Sequence, residues 1–345
     1  MVMYNLFVED YDRYVYETEL KSFLPKDVFD FHIHVFRDDT PRYERFKNAP
    51  KSWVGRITDE LRIEQLQETA EKLFPENNFK ALIFGGTGRD LTITNDYVKK
   101  AGKELDYPTL YRTNPAMTGE ELEANIKAGG FLGIKPYLSD SPVYIPNKEI
   151  RIFDFVPHEH LKVCDKNGWI VMLHIPRDGR FKDPVNLYQL KEIEEKYPNL
   201  KLIIAHIGRA YSKEDIGNGF DIVGKGANTY FDFTANVCDD AIKACIESVG
   251  TKKLVFGSDL PIAIMRMYRI VENGIYYNIV PKGHYGDVDG QPHMRQTEGE
   301  DITIMMYEQI KALKRVAAEL KLSDSDIEAI MNSNAKKLID EVSGK

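Results

Sequence analysis

The sequence has few cysteines and no excess of basic residues. Its 345 residues include three cysteines, Cys164, Cys238 and Cys245, whose odd number and irregular spacing argue against a disulfide framework or a thiolate metal site. We expect them to be buried apolar side chains. Lys and Arg total 46 against 54 Asp and Glu, a net charge of −8, so the chain lacks the basic excess typical of polyanion-binding proteins. Nucleic acid is therefore not an expected partner.

Long apolar runs are also missing. No stretch approaches the ~18 consecutive apolar residues of a membrane helix. Residues 1–20 mix charges and tyrosines where a signal peptide has an apolar core. We expect a cytoplasmic protein that does not contact the membrane. The length leaves either two modest domains or one large α/β barrel.

Short apolar runs alternate with amphipathic segments along most of the chain. Eight candidate strands lie at 28–35, 79–86, 107–114, 131–138, 169–176, 200–208, 229–236 and 253–261. Helical spacing of apolar residues predicts helices at 59–74, 93–105, 118–129, 184–197 and 239–250. Eight such repeats favour a (β/α)8 TIM barrel as a single domain over residues 1–345, with its core at about 28–340. A doubly wound sheet is the alternative, but no glycine-rich phosphate fingerprint follows the first strand.

Residues beyond the minimum for a barrel fall into separate segments. An N-terminal arm covers about 1–27, a loop containing Trp53 follows the first strand, and a proline-rich loop occupies 139–157. An insertion at 262–300 follows the last strand, and two closing helices come after it, the second with Ser323 as its predicted N-cap. Loops that follow strands lie on the carboxyl-terminal face of a barrel, where active sites of this architecture are built.

Ionisable residues interrupt the apolar runs close to the predicted strand ends. They are His32 and His34 on the first strand and Lys135, His174, His206 and Asp259 on later ones. The first two are two residues apart, so strand alternation points both to one side. Singly, each residue has a structural explanation, such as a rim hydrogen bond, a cap or an ion pair. Together they favour a metal such as Zn²⁺, with Mn²⁺, Co²⁺ or Fe²⁺ as alternatives, because converging buried charges need a shared partner.

The order of these motifs resembles the amidohydrolase superfamily, specifically its amidohydrolase-2 branch of metal-dependent TIM barrels, related to aminocarboxymuconate-semialdehyde decarboxylase. The motifs are DFHIH, GIKPY, LHIPR, AHIGR and FGSDLP, with SNAKKLI near the C-terminus. The resemblance covers about 28–340. It implies that a catalytic metal is bound by His32, His34, His174 and Asp259. It also implies that His206 acts near the bound water or substrate, or binds a second metal.

The number of metal ions depends on Lys135. In binuclear members of the superfamily a lysine on the fourth strand is carbamylated and bridges two ions, and Lys135 stands at the matching strand. Relatives of the decarboxylase are mononuclear. We therefore favour one ion, Zn²⁺ or alternatively Mn²⁺, and keep the carbamylated lysine as a hypothesis.

Basic side chains near the strand ends suggest an anionic small-molecule substrate. Arg177 and Arg209 each follow a strand-end histidine by three residues, and either bind a substrate carboxylate or pair with nearby acids. The insertion offers Arg266, Arg269, Tyr276, Tyr277, His284 and His293. It forms a lid or a substrate wall, with His293 as a substrate contact, or a contact in a homodimer. His158 and His160 precede a helix and are expected at the surface.

Three functions are compatible with the sequence. The leading hypothesis is a hydrolase that uses a metal-bound water on a small carboxylate-bearing amide, ester or lactone. In it, Asp259 transfers the proton and His206 polarises the substrate. The second is a metal-dependent, non-oxidative decarboxylase on the same scaffold. The third is a non-catalytic binder of small molecules, which predicts a missing ligand position, and none of the proposed positions is missing.

Overall fold

Parallel strands form the centre of the molecule. The computed structural model describes residues 4, 6–47, 54–288, 290–299 and 301–344, so Trp53 falls outside the described residues. The strands are β1 (Asp27–Val35), β2 (Asn78–Gly85), β3 (Gly133–Ile134), β4 (Ile170–Leu173), β5 (Lys201–Ile204), β6 (Thr229–Asp232), β7 (Leu254–Val255), β8 (Tyr268–Glu272), β9 (Ile275–Pro281) and β10 (Met294–Thr297). β1 pairs with β2, and β3 to β7 form a five-stranded parallel sheet in chain order. The result is a mixed α/β fold, as the alternating pattern predicts.

Helices connect the strands and follow the last of them. The α-helices are α1 (Asp10–Val15), α2 (Glu44–Lys47), α3 (Ile63–Leu73), α4 (Leu91–Leu105), α5 (Gly119–Gly129), α6 (His158–Asn167), α7 (Pro184–Lys196), α8 (His206–Arg209), α9 (Gly219–Ile222), α10 (Asp239–Val249), α11 (Met305–Leu320), α12 (Asp324–Glu328) and α13 (Asn334–Ser343). π-helical turns at Tyr16–Leu20 and Ala329–Ser333 extend α1 and join α12 to α13. Short 3-10 turns lie at Val54–Arg56, Leu138–Asp140, Asn147–Glu149, Ile152–Asp154, Arg180–Lys182, Lys213–Asp215, Thr251–Lys253 and Ile262–Ile264. The N-cap prediction is confirmed, since the Ser323 hydroxyl accepts a hydrogen bond from the Asp326 N–H. No helix in the described ranges is long and apolar enough to cross a membrane.

One predicted strand is wrong. Residues 107–114 form no regular strand, only isolated parallel bridges from Thr109 to β2 and from Tyr111 to β3. Pro108 has no N–H to donate to a ladder, which limits pairing here. The segment nevertheless lies between β2 and β3, because the Leu110 N–H donates to Ile83 and the Tyr111 N–H donates to Gly133.

The segment after β7 lies beside β1. The Phe31 N–H donates to the Phe256 carbonyl (2.8 Å), and the His34 N–H donates to the Leu260 carbonyl (2.9 Å). Between these two bonds, the Asp259 N–H donates to the His32 carbonyl (2.9 Å). Asp259 lies 227 positions after His32 in the chain, and these bonds bring it next to both histidines of β1.

A small apolar cluster supports the histidines of β1. It contains Phe31, Phe84, Met172, Ile203 and Val255, contributed by five of the parallel strands. The Phe84 ring lies 5.1 Å from the His32 ring and 4.6 Å from the His34 ring. Apolar packing therefore restricts the orientations of both imidazoles.

The insertion at 262–300 has regular structure that the sequence analysis missed. β8 and β9 form an antiparallel hairpin, and β10 pairs with β9. Asn273 and Gly274 at the hairpin turn have φ values of 51° and 75°. This pair is the preferred sequence of a two-residue type I′ turn, so a signal for the hairpin was present.

Two other expectations have mixed outcomes. Cys164 and Cys245 are buried as expected, whereas Cys238 is only partly buried. The surface prediction is wrong for His160, which is fully buried with Nε2 2.7 Å from the Met117 carbonyl. A buried imidazole is stable there because both ring nitrogens have neighbours, the other being the Thr113 hydroxyl.

Close contact between β3 and β4 makes Gly133 a sensitive position. Its φ is 151°, and a Cβ there would lie 2.0 Å from the Ile170 carbonyl oxygen. We expect Gly133→Ala to lower the free energy of unfolding by about 2 kcal/mol or more, measured by urea denaturation. The control is Gly130→Ala, whose φ is 69° but whose Cβ would meet nothing within 4 Å. Equal losses in both variants would contradict a steric origin.

Candidate metal centre and its cavity

A cavity of about 870 Å³ opens at the carboxyl-terminal ends of the parallel strands. Its lining includes His34 from β1, Tyr137 after β3, His174 after β4, His206 after β5 and Asp259 after β7. The placement follows the sequence pattern, in which polar residues come directly after apolar strands. The predicted strand-end residues therefore do gather at one end of the fold.

Three of the predicted residues form a compact group of possible metal ligands. His32, His34 and Asp259 are buried and offer ligand atoms that all lie within 4.8 Å of one another. Asp259 Oδ1 lies 3.3 Å from His34 Nε2 and 3.6 Å from His32 Nε2. We call these three residues the donor group.

Hydrogen bonds fix the ring orientation of both histidines. His32 Nδ1 lies 2.9 Å from Asp232 Oδ2, and His34 Nδ1 lies 3.1 Å from the Gly85 carbonyl oxygen. A carbonyl only accepts, so His34 Nδ1 donates and its Nε2 keeps a lone pair. The Asp232 carboxylate also accepts, so His32 Nδ1 donates to it and His32 Nε2 keeps a lone pair. This Nε2 has no hydrogen-bond partner among the described residues. Asp232, on β6, was missed from the sequence, although an acid in the apolar run TYFDF was a signal.

Charge states in the donor group suit a divalent cation. Burial, together with the positive charge of Lys135, lowers the pKa of His32 to about 3, and burial also lowers the pKa of His34. Burial opposes ionisation of Asp259, but its contact with His34 and the other nearby histidines lower its pKa to about 2. Two neutral imidazoles and one carboxylate are an established ligand set for Zn²⁺ and related ions.

The other strand-end residues surround the donor group. The His206 ring lies 5.1 Å from the His32 ring and 5.2 Å from the His174 ring. His206 Nδ1 is 2.9 Å from the Thr234 carbonyl oxygen, which leaves its Nε2 for the cavity side. Burial lowers the pKa of His174 well below its usual value. All four histidines are therefore close together, as the pattern predicts.

Lys135 is buried beside aromatic rings. Its Nζ lies 5.2 Å from the Phe84 ring centre and 5.3 Å from that of Tyr137, with no hydrogen-bond partner among the described residues. Burial lowers the pKa of Lys135 to about 8. A buried amine without a partner is costly, which is typical of a group with a chemical role.

Tyr137 is a site residue that the sequence analysis did not select. Its hydroxyl lies 2.9 Å from His34 Nε2, and its ring lies against the Arg112 guanidinium at 4.4 Å. Because His34 Nε2 carries a lone pair, the Tyr137 hydroxyl is the donor. The GIKPY motif contains this tyrosine, so its strand-end position could have indicated it.

The predicted substrate contacts differ in their placement. Arg209 lines the cavity, and its Nη1 donates to the carbonyls of residues 175–177. His293 also lines the cavity, with its ring stacked on Tyr276 at 4.1 Å. Arg177 is not among the described lining residues and pairs with Asp183, the N-cap of α7, at 3.1 Å.

Several solved structures share this fold. A probable 2-pyrone-4,6-dicarboxylic acid hydrolase from Acinetobacter baumannii, with citric acid bound, has 16% identity and a TM-score of 0.58, covering 92% of this chain and 100% of that one. A dihydroxybenzoic acid decarboxylase from Polaromonas sp. JS666, with manganese and 2-nitroresorcinol bound, has 13% identity and a TM-score of 0.54, covering 92% and 97%. An amidohydrolase from Burkholderia multivorans with bound zinc has 8% identity and a TM-score of 0.56, covering 92% and 99%.

Sequence comparison gives the family. No curated protein matches the chain. The model of the amidohydrolase family matches residues 29–340, which is most of this chain. Membership supports an enzymatic function, and the match includes every residue of the donor group. The chain belongs to the amidohydrolase family, in its amidohydrolase-2 branch.

Proposed function

We propose that this protein is a metal-dependent hydrolase that acts on a small carboxylate-bearing amide, ester or lactone. The observation that carries the proposal is the donor group, in which lone pairs of two neutral histidines and one ionised carboxylate face each other at the end of a cavity. In the tautomer fixed by Gly85, His34 Nε2 and Asp259 Oδ1 are both acceptors only 3.3 Å apart. The Tyr137 hydroxyl donates to His34 Nε2 but leaves Asp259 Oδ1 facing that nitrogen, and a shared cation in place of this donor would satisfy both acceptors, which supports a metal at this point.

The donor group supports a single ion. Zn²⁺ is our first choice and Mn²⁺ the alternative, since both accept imidazole and carboxylate ligands. The His206 ring lies 5.1 Å from the His32 ring and 5.2 Å from the His174 ring, which supports roles for both in completing the ligand set or contacting the substrate. Within the described part of the chain, the three-residue group does not include His206, which favours one ion over two. A carbamylated Lys135 bridging two ions is the alternative that its buried, unpartnered amine leaves open.

We further propose that the strands close into a (β/α)8 barrel as one domain. The bonds between β1 and residues 256–260, with the bridges at Thr109 and Tyr111, support an eight-membered ring. In such a barrel the cavity is the usual location of catalysis.

The residues around the cavity can carry out the remaining steps of hydrolysis. A divalent ion held by the donor group would supply Lewis acidity and a nucleophile derived from water near neutral pH. Asp259 accepts a proton from the attacking water and delivers it to the leaving group. His206 and Tyr137 are placed to contact the carbonyl oxygen of the substrate, and Arg209 to hold its carboxylate.

Non-oxidative decarboxylation is the second candidate. The observation that favours it is an aromatic wall in the cavity, where the Tyr211 and Tyr276 rings lie 5.1 Å apart. Such a wall suits a planar aromatic acid, and a dihydroxybenzoic acid decarboxylase is among the similar structures.

A substrate panel separates the two reactions. The protein, loaded with Zn²⁺ or Mn²⁺, is incubated with carboxylated lactones and amides and with aromatic acids, and ring-opened product and released CO2 are measured. We expect hydrolysis that is lost on chelation and restored by the metal. CO2 release without hydrolysis would overturn the hydrolase in favour of the carboxy-lyase. Activity that is unchanged by chelation would contradict both.

A further inference from the structure

The hairpin of the insertion, formed by β8 and β9, makes up one wall of the cavity, where two arginines, two tyrosines and a histidine lie close together. Arg269 on β8, Tyr276 on β9 and His293 line the cavity together with Arg180 and Tyr211 from the loops after β4 and β5. We call these five residues the hairpin subsite. Ring centres are 5.1 Å apart from His32 to His206, 6.3 Å from His206 to Tyr211 and 5.1 Å from Tyr211 to Tyr276. The subsite is therefore connected to the donor group but separate from it.

Arg269 has no carboxylate partner among the residues that the structure describes. Its Nε donates to the Asn278 side-chain oxygen at 2.9 Å, and its Nη1 approaches the Ala235 carbonyl at 3.4 Å. In the described ranges its guanidinium therefore donates to an amide oxygen and a backbone carbonyl and not to a carboxylate, and two of its five N–H donors have protein acceptors. Two other cavity arginines pair with acids, Arg42 with Asp59 at 2.8 Å and Arg180 with Asp215 at 2.5 Å. Arg89 and Arg209 donate to backbone carbonyls.

The rings beside Arg269 hold its position without neutralising it. Its guanidinium lies 5.0 Å from the Tyr211 ring centre and 4.7 Å from that of Tyr276. Cation–π contacts stabilise such a group and fix its plane. A half-buried guanidinium with free N–H donors on a cavity wall is well suited to a planar anion, since it can form two parallel hydrogen bonds.

The neighbouring residues form a fixed support. Arg180 Nη1 binds Asp215 at 2.5 Å, and Arg180 Nη2 lies 3.2 Å from His293 Nε2. His293 Nδ1 is 2.9 Å from the Tyr276 carbonyl oxygen, so Nδ1 donates and Nε2 accepts from Arg180. Both nitrogens of His293 and the charge of Arg180 are thus already engaged. Arg269 remains the cation of the subsite that is available to a ligand.

We propose that Arg269 is a specificity-determining residue that binds a second anionic group of the substrate, at the end that does not react. The substrate is then a dianion. One of its anionic groups, a carboxylate or an equivalent oxyanion, lies in the hairpin subsite, and its reacting end lies at the donor group. This inference rests on the proposed function for the reacting end only. The anion site itself is independent of metal and of the reaction type.

The first test uses the 345-residue chain after metal removal, with benzoate as the probe in isothermal titration calorimetry. We expect Arg269→Gln to weaken benzoate binding by about tenfold or more, because charge-assisted bonds are lost. The matched control is Arg295→Gln, since Arg295 lies on β10, stacks on Tyr277 at 3.6 Å and pairs with Glu272 outside the described cavity lining. Equal benzoate affinity in wild type and Arg269→Gln would overturn the proposal.

The second test uses metal-loaded protein and straight-chain dicarboxylates from succinate to pimelate, each compared with the monoacid of equal length. We expect one length to bind about tenfold more tightly than its monoacid, and this preference to vanish in Arg269→Gln. Arg269→Lys should restore part of it, and circular dichroism checks that each variant is folded. A preference that survives in folded Arg269→Gln would overturn the proposal. Failure of metal loading, with the benzoate result intact, would count against the proposed function and not against the anion site.

Discussion

Asp259→Asn is expected to lower turnover by about 10³-fold or more, because one change removes both a metal ligand and the proton acceptor. Asp259 Oδ1 faces both histidines of the donor group, and an amide there has no negative charge for the ion. The backbone should tolerate the change, since Asp259 has φ of 68°, a left-handed conformation that asparagine also adopts readily. The measurement is the steady-state rate with the substrate found in the panel, together with metal content.

The matched control is Asp178→Asn. Asp178 lines the same cavity but is exposed and does not belong to the donor group. We expect its turnover to stay within a few-fold of wild type. If Asp259→Asn kept a tenth of the wild-type rate, or if both variants lost activity equally, the role assigned to Asp259 would be wrong.

Asp12→Ala is expected to lower the free energy of unfolding by about 3 kcal/mol, because it leaves a buried arginine with only the half-exposed Glu9 as a carboxylate partner. Arg266 donates to both oxygens of Asp12, at 3.0 and 2.6 Å, and the Thr303 hydroxyl donates to the same carboxylate at 2.7 Å. All three side chains are at most 5% exposed. The pair ties α1 to the start of the insertion and to the segment before α11. Urea denaturation followed by circular dichroism gives the loss.

The control for this pair is Asp10→Ala on the same helix. Asp10 also contacts an arginine, Arg13 at 2.6 Å, but both side chains are open to solvent, so we expect little measurable change. A loss in Asp12→Ala as small as that of the control would show that burial of the pair does not stabilise the fold.

All three residues of the donor group could be predicted from the sequence, because their positions depend on where single strands end. The spacing of His32 and His34 places them on one side of β1, and Pro261 marks the end of the run that contains Asp259. Strand ends of parallel strands meet at one edge, so position in the sequence is enough to bring them together. The same reasoning gave the alternation of strands and helices, and hence the mixed α/β fold.

The remaining parts of the site depend on contacts across the fold. Asp232 binds His32 from β6, and no pattern within the TYFDF run shows which histidine it meets. For Arg177 the sequence left two alternatives, and the structure shows the pair with a nearby acid, Asp183, the N-cap of α7. Arg269 was visible as a cation of the insertion, but its contact with the Asn278 amide oxygen in place of a carboxylate, within the described ranges, depends on how the hairpin packs on the cavity.

Secondary structure was harder to predict where pairing is sparse. Residues 107–114 have strand-like composition, yet Pro108 and single bridges leave no regular ladder. His160 was expected at the surface because it was placed before a helix, but it lies within α6 and the fold buries it against the Met117 carbonyl. In both cases tertiary contacts outweighed local preference.

Anomalous diffraction from crystals grown with Zn²⁺ or Mn²⁺ tests the central claim most directly. We expect an anomalous peak at about 2.0–2.2 Å from Nε2 of His32 and His34 and from a carboxylate oxygen of Asp259. An ion that binds elsewhere on the protein, or crystals that hold no ion at metal concentrations where the enzyme is active, would contradict the account.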